Sequence, residues 1–390
     1  MLGRVRKTAI EFFQQADLVL LGLCCAASVY GIAMIYSATR YNNGDRKVIV
    51  QTAALFIGMA VYFAISMIDL ELLISKWWKW IAVFNVVAIL LLRTPFGIEQ
   101  DGNRAWLKFP FLPVSIGPAE VVKITFILLL ARQLQWLLEE KRDLRSFSSA
   151  ILAAGHTFGL MGLYFIVSKD MGNALMFVLI FIVMAFVAGF ALRWFVLLIG
   201  GAAAVIGGIV LFDLVPESKK YMLDRFIVLF DHSYDVQGDG WQQTRSLLTL
   251  GGGGFWGQGY LNGTQTQAGA GSVPARHTDL IFSVIGEELG FVGATLAILL
   301  LVAIIVRVLV VGRRAASFFH TYVCVGIAAM LMFQMVINIG MCLFIMPVIG
   351  LTLPFFSYGG SSLVTLFAAM GFVSGISKRS VERRRPGRIL

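Results

Sequence analysis

The sequence predicts an all-α polytopic membrane protein: about ten transmembrane helices, both termini cytoplasmic, and one large extracytoplasmic loop. Three observations carry this. The 390 residues are 58% hydrophobic and only 14% charged, with a mean hydropathy of +0.82. Apolar runs of about twenty residues recur, the length that crosses about 30 Å of hydrocarbon. Charged residues cluster in the gaps between those runs. The basic start, Arg4, Arg6 and Lys7, leads into a full-length apolar segment without a small-residue cleavage site, so no signal peptide is expected.

In chain order the spans fall at about 17–38, 47–67, 77–93, 117–137, 148–167, 171–190, 193–214, 279–311, 318–345 and 355–377. The stretch LEEKRDLR separates the fourth from the fifth, whereas only GFALRW divides the sixth from the seventh. Orientation follows from Lys and Arg. With the N-terminus inside, nineteen lie on the cytoplasmic side and seven outside, once the 215–278 segment, too long for the rule, is set aside. The chain reads as one transmembrane domain over 1–377 and a basic cytoplasmic tail over 378–390.

The net charge of +10 gathers at span ends and in that tail. It suits an anionic membrane surface, so membrane lipids are expected as partners and nucleic acid is not. The four cysteines, Cys24, Cys25, Cys324 and Cys342, lie inside spans and read as packing residues rather than disulfides or metal ligands. The 215–278 segment is rich in Gly, Asp, Gln and Trp. A loop this long is functional or disordered, and its aromatic content opposes disorder. Short helices at the outer interface, forming a cap over an outward-facing cavity, are expected.

Candidate chemistry begins at PARHTDLIF, residues 274–282. With Thr278 as cap, Asp279 occupies the first turn of the eighth span, where the helix dipole favours an acid and capping alone would explain it. At 100° per residue, Ser283, Gly286 and Gly290 fall within about 40° of Asp279, a small-residue wall for packing or for a cavity. Glu287 and Glu288 lie two turns deeper, where carboxylates are costly unless they face an interior or an aqueous space. A second cluster places Arg104 and Lys108 in an outer loop, then Glu120 and Lys123 at i,i+3 at the start of the fourth span. These two form either a self-neutralising pair or a cation poised for an anionic ligand. The turn VSKDMGNA carries Lys169 and Asp170, and the long loop adds Arg225 and Arg245, positive charge that would suit a pyrophosphate. Zinc-protease, thiol-redox, serine-hydrolase and Walker readings lack their residues. The glycines of GGGGFWGQG read instead as tight turns or close backbone packing.

Taken together, the motifs resemble the SEDS family (shape, elongation, division and sporulation), the RodA/FtsW/SpoVE group. HTDLIFSVIGEELGFVG is similar to its H-T-D-F-I-F and E-E-L-G stretches, and MPVIGLTLPFFSYGGSS to its P-V-T-G-I-P-L-P-F-x-S-Y-G-G-S-S. GNRAWL and GPAEVVK are similar to its G-x-R-x-W and Q-P-S-E-x-x-K blocks, and GTQTQ leans towards the RodA branch. The resemblance implies a peptidoglycan glycosyltransferase that polymerises lipid II on the outer face of the bacterial cytoplasmic membrane. One disaccharide's hydroxyl attacks the anomeric carbon of another and displaces undecaprenyl pyrophosphate, with inversion. It implies Asp279 as the essential acid, either general base or ligand of a divalent cation (Mg or Mn), with no organic cofactor. Glu120, Lys123 and Asp170 follow from the family's conserved positions. Arg104, Arg225, Arg245, His277, Thr278 and Glu287 complete the expected substrate contacts. A class B penicillin-binding protein, a transpeptidase, is the implied partner. A lipid-linked precursor transporter and a non-catalytic scaffold are the alternatives. The chain departs from the family at Pro274-Ala275-Arg276, where Pro-Glu is usual, at Ser168-Lys169-Asp170, and at Gly117 and Ala119.

Overall fold

The computed structural model describes residues 16–42, 44–100, 103–110, 115–141, 143–211, 227–229, 239–269 and 271–383. Twelve helices follow one another among them. They are α1 (Leu18–Thr39), α2 (Asp45–Ser66), α3 (Leu70–Leu90), α4 (Pro118–Trp136), α5 (Phe147–Ser168) and α6 (Met171–Ala188). Then come α7 (Leu192–Leu211), α8 (Asp239–Gly252), α9 (Thr264–Gln267), α10 (Ile281–Arg313), α11 (Phe318–Cys342) and α12 (Gly360–Arg383). Nine are long and apolar enough to cross a membrane. The remaining expected span, α7, is also a helix, 20 residues long. The thin boundary at GFALRW holds: α6 ends on Gly189 at φ 95, the left-handed cap glycine tolerates best.

The fold is a helical bundle, as expected, with one small addition: Gly97–Gln100 (β1) and Asn103–Leu107 (β2) pair antiparallel, Gly97 opposite Leu107 and Ile98 opposite Trp106. Asp101-Gly102 between them is the sequence signal for a hairpin. The third span also begins seven residues early, at Leu70 rather than 77. Asp69 Oδ1 accepts from the Leu72 N–H at 3.1 Å and so caps an extra pair of turns. Just past these turns Trp77, Trp78 and Trp80 are exposed, ring types that settle at a membrane interface.

The most enclosed spans are α4, α11 and α12. At one end of the bundle, Arg307 of α10 pairs with Asp17 at 2.8 Å. The Asp17 N–H donates to Ser374 Oγ at 3.0 Å and Tyr62 Oη donates to the Asp17 carbonyl at 2.7 Å. One acid thus ties α1, α2, α10 and α12 together.

Helix α10 is interrupted at Gly290 (φ 65, ψ −162). Unbroken, the Phe291 and Val292 N–H groups would bond the carbonyls of Glu287 and Glu288. Instead the segment 254–259 takes all four groups. Gln258 and Gly259 N–H donate to Glu287 O and Glu288 O, both at 2.9 Å. Phe291 and Val292 N–H donate to Gly254 O at 2.9 Å and Phe255 O at 3.3 Å. These four groups are satisfied without water, as a hydrocarbon environment demands. A Cβ on Gly257 would lie 2.2 Å from Glu288 O, and one on Gly290 2.3 Å from Gly257 N. The glycine run therefore exists for close backbone packing. The expected short helices of the long loop are α8 and α9, and α8 packs on α10 and α11.

Candidate functional site

Asp279 lies in a turn ahead of α10, whose N-cap residue is Leu280. Thr278 therefore does not cap the helix; its hydroxyl donates to the Ala275 carbonyl at 3.2 Å. Nor does Asp279 share a helical face with Gly290, since it precedes the helix and Gly290 breaks it. The reason is visible in the backbone. Three consecutive carbonyls are claimed from outside: His277 O by the Tyr358 N–H at 2.8 Å, Thr278 O by Ser357 Oγ at 2.7 Å, and Asp279 O by Asn338 Nδ2 at 2.7 Å. Peptides held this way cannot join the α10 ladder.

The segment 357–361 is the hub of the site. Gln51 of α2, 1% exposed, donates from Nε2 to Ser357 O at 3.1 Å and accepts from the Gly359 N–H at 3.0 Å. The Gly117 N–H donates to Ser361 Oγ at 3.4 Å. GPAEVVK, HTD and SYGGSS, far apart in sequence, so meet at the end of the bundle opposite Asp17.

Cations converge beside Asp279. Lys47 Nζ lies 2.9 Å from His277 Nε2, and the His277 ring lies against Tyr358 with centroids 5.8 Å apart. Burial, and then the charges of Lys47 and Arg276, hold the imidazole down to a pKa of about 4. His277 is thus neutral at neutral pH and accepts from Lys47 at Nε2. Arg276 is 1% exposed. Its Nη1 and Nη2 donate to the carbonyls of Thr266 and Gly269, and its guanidinium stacks 3.9 Å over the Tyr41 ring.

The other expected contacts divide. Lys123 is fully buried with its Nζ 2.9 Å from Glu120 Oε1, and Glu120 retains 13% exposure. The geometry is that of a pair solving its own burial, with the carboxylate facing outward. Arg104 on β2 pairs with Glu99 at 2.9 Å, and that bond holds the Glu99 carboxyl below its usual range. Asp170 is the N-cap of α6. Its Oδ1 accepts from the Asn173 N–H at 3.1 Å, and its Oδ2 from Asn173 Nδ2 at 2.8 Å and Tyr164 Oη at 3.1 Å. Glu287, fully buried, spends its oxygens on α9. It accepts from the Gln265 and Thr266 N–H groups at 2.7 and 2.8 Å and from the Thr264 and Thr266 hydroxyls at 3.2 and 2.6 Å. Those carboxylates do local work, and GTQTQ is the receptor for Glu287. Glu288 takes Ser37 Oγ at 2.5 Å. Arg245 stacks near Trp241 at 5.7 Å, and Arg225 lies outside the described residues.

Lys47, Gln51 and Asn338 are the site residues that the motifs did not single out. Gln51, a polar residue one turn past Lys47 inside an apolar run, carried the legible signal. Among the described residues no three His, Cys, Asp or Glu side chains gather to hold a metal ion. One carboxylate does not fit a closed zinc site. It fits a Mg-type ion, which binds through one or two carboxylates together with substrate phosphates.

The family model described as "Cell cycle protein", covering FtsW, RodA and SpoVE, matches residues 11–382. The chain is 31% identical over 365 residues to the probable peptidoglycan glycosyltransferase FtsW of Coxiella burnetii, covering 93% of each. It is 32% identical over 375 residues to stage V sporulation protein E of Bacillus subtilis, covering 93% and 97%. Among solved structures, it is 28% identical, with TM-score 0.77, to a chain from a peptidoglycan synthase complex that coordinates polymerization and crosslinking, covering 94% and 98%. For the rod shape determining protein RodA of Thermus thermophilus the values are 27%, 0.66, 93% and 96%.

Proposed function

Because the chain belongs to the FtsW/RodA/SpoVE family of cell cycle proteins, we propose that it is a peptidoglycan glycosyltransferase polymerising lipid II at the outer face of the cytoplasmic membrane. One observation carries the reading at residue level. Asp279 is anchored through its own carbonyl and those of the two preceding residues, where HTD, SYGGSS and the start of α2 meet.

In this reading the Asp279 carboxylate accepts the proton of the attacking sugar hydroxyl as that oxygen bonds to the anomeric carbon of the donor. The anomeric carbon–phosphate oxygen bond breaks, and undecaprenyl pyrophosphate departs with the electron pair. Attack from the opposite face inverts the donor's α linkage to β and needs one base rather than two paired carboxylates. Lys47 and Arg46, at the outer start of α2, meet the charge of the leaving group. Neutral His277 keeps the Lys47 ammonium in place without competing for the anion. A divalent cation would add Lewis-acid stabilisation of the pyrophosphate, with Asp279 as its protein ligand. A class B penicillin-binding protein is the proposed partner, supported by the likeness to a chain of a synthase complex.

The test is polymerisation of lipid II by purified protein, with and without that partner and with and without Mg or Mn. Wild type is expected to form glycan strands, and Asp279→Asn to lose about 100-fold or more in rate, the scale of general-base catalysis. Wild-type protein that binds substrate and partner yet makes no polymer under any cation condition would overturn the assignment.

A further inference from the structure

We propose that Asn338 is a positioning residue for Asp279, an inference that rests on the role given to Asp279 above. Asn338 lies on α11, fully buried, 59 residues from Asp279 in sequence. Its Nδ2 donates to Asp279 O and to Leu351 O, both at 2.7 Å. Both amide hydrogens are thereby used, and the orientation of the group is fixed. Turned over, it would set Oδ1 against two carbonyl oxygens.

The opposite end of the same amide is what distinguishes this residue. Asn338 Oδ1 is buried and has no hydrogen-bond partner among the described residues. An orphaned buried acceptor costs stability, and such a cost persists where a functional geometry requires it. The nitrogen fork is that requirement. Tyr358 and Ser357 hold the carbonyls of His277 and Thr278, but neither reaches Asp279 itself. Asn338 Nδ2 holds the Asp279 carbonyl at 2.7 Å, with the Cys342 thiol 3.9 Å from the same oxygen. With the planes on both sides of Asp279 held, the one before by Ser357 on Thr278 O and the one after by Asn338 on Asp279 O, the direction of its Cα–Cβ bond is set too. The second arm, on Leu351, ties that plane to the loop leading into SYGGSS, so the acid and the hub move as one.

The test uses full-length protein and two substitutions. Asn338→Leu keeps the shape and removes both donors; Asn338→Ser leaves a hydroxyl that serves one carbonyl at most. Steady-state polymerisation of lipid II and the thermal unfolding midpoint are measured on the same preparations, with Asp279→Asn as the inactive reference. In Asn338→Leu, kcat is expected to fall about 10- to 100-fold while KM stays within about threefold, the mark of a displaced reacting group rather than lost binding. Asn338→Ser is expected to fall between, and the midpoint to drop in both, more in Asn338→Leu, because the carbonyls of Asp279 and Leu351 lose their donor. A purely structural role would lower the midpoint and leave kcat of the folded protein unchanged, and that result overturns the proposal. So does a rise in KM at constant kcat. Should Asn338→Leu yield no monodisperse protein, Asn338→Ser decides by the same criteria. Inactive wild type instead overturns the glycosyltransferase reading and is distinguishable from either.

Discussion

Arg276 holds a cation in the protein interior because two backbone carbonyls and one aromatic face replace water around it. Arg276→Gln is expected to strand one of those carbonyls and cost about 1–3 kcal/mol, read as a lowered unfolding midpoint with Arg276→Lys intermediate. No sequence pattern announces this, since Tyr41 is 235 positions away and the carbonyls of Thr266 and Gly269 have no signature of their own. The departure at Pro274-Ala275-Arg276 thus has its physical account: the segment 266–269 is bracketed by a guanidinium. Asp279, by contrast, is marked out in the sequence itself, as an acid at the lip of an apolar run inside a specific motif. His277 adds a pH dependence. Its pKa is depressed from 6.5 to about 4, so between those values the unfolded chain binds a proton that the native state refuses. Its contribution to stability is full above about pH 6.5 and declines as pH falls towards about 4. Lys47→Met removes one depressing charge, and the unfolding midpoint is expected to fall less steeply over that window than in wild type.

Among elements, helix existence was readable from apolar length, whereas the ends were decided by local chemistry. Asp69 and Asp170 start α3 and α6 by capping. Asp170→Ala is therefore expected to cost about 1–2 kcal/mol in the unfolding midpoint before it alters KM for lipid II. The start of α10 escapes sequence reading because carbonyls 277–279 are claimed by residues that arrive 59 to 81 positions later. The hairpin and the fate of Glu287 were likewise written in partners rather than in periodicity. Gly290→Ala tests the break in α10. It is expected to cost more than the roughly 1 kcal/mol of a typical substitution, because the position has positive φ and no room. Gly155→Ala, inside α5 with nothing within 4 Å of its added Cβ, is the control and should not lower the midpoint. The transporter alternative called for interrupted spans in corresponding halves; α10 carries the one break found among the described helices.

For the whole molecule, the two ends of the bundle have separate occupations. One is closed by Asp17 and Arg307, and the other gathers Asp279, His277, Lys47 and the 357–361 hub. The orientation inferred from basic residues then makes a direct prediction. A cysteine placed at Ala275 should react with a membrane-impermeant maleimide in intact cells, and one at Asp143 only after permeabilisation; the reverse would invert the topology. The native cysteines Cys24, Cys324 and Cys342 are buried and Cys25 sits within α1, which keeps the background low. The glycine segment set into the gap of α10 bears on how such a protein can change over time. Loop and helix each supply half of a four-bond register, so neither can lengthen or shorten alone without leaving polar backbone in hydrocarbon. Residues 253–263 and 281–292, although separated in sequence, must be inherited as one unit. A chimera that exchanges them singly between relatives should fail to accumulate, while one that exchanges both should be tolerated.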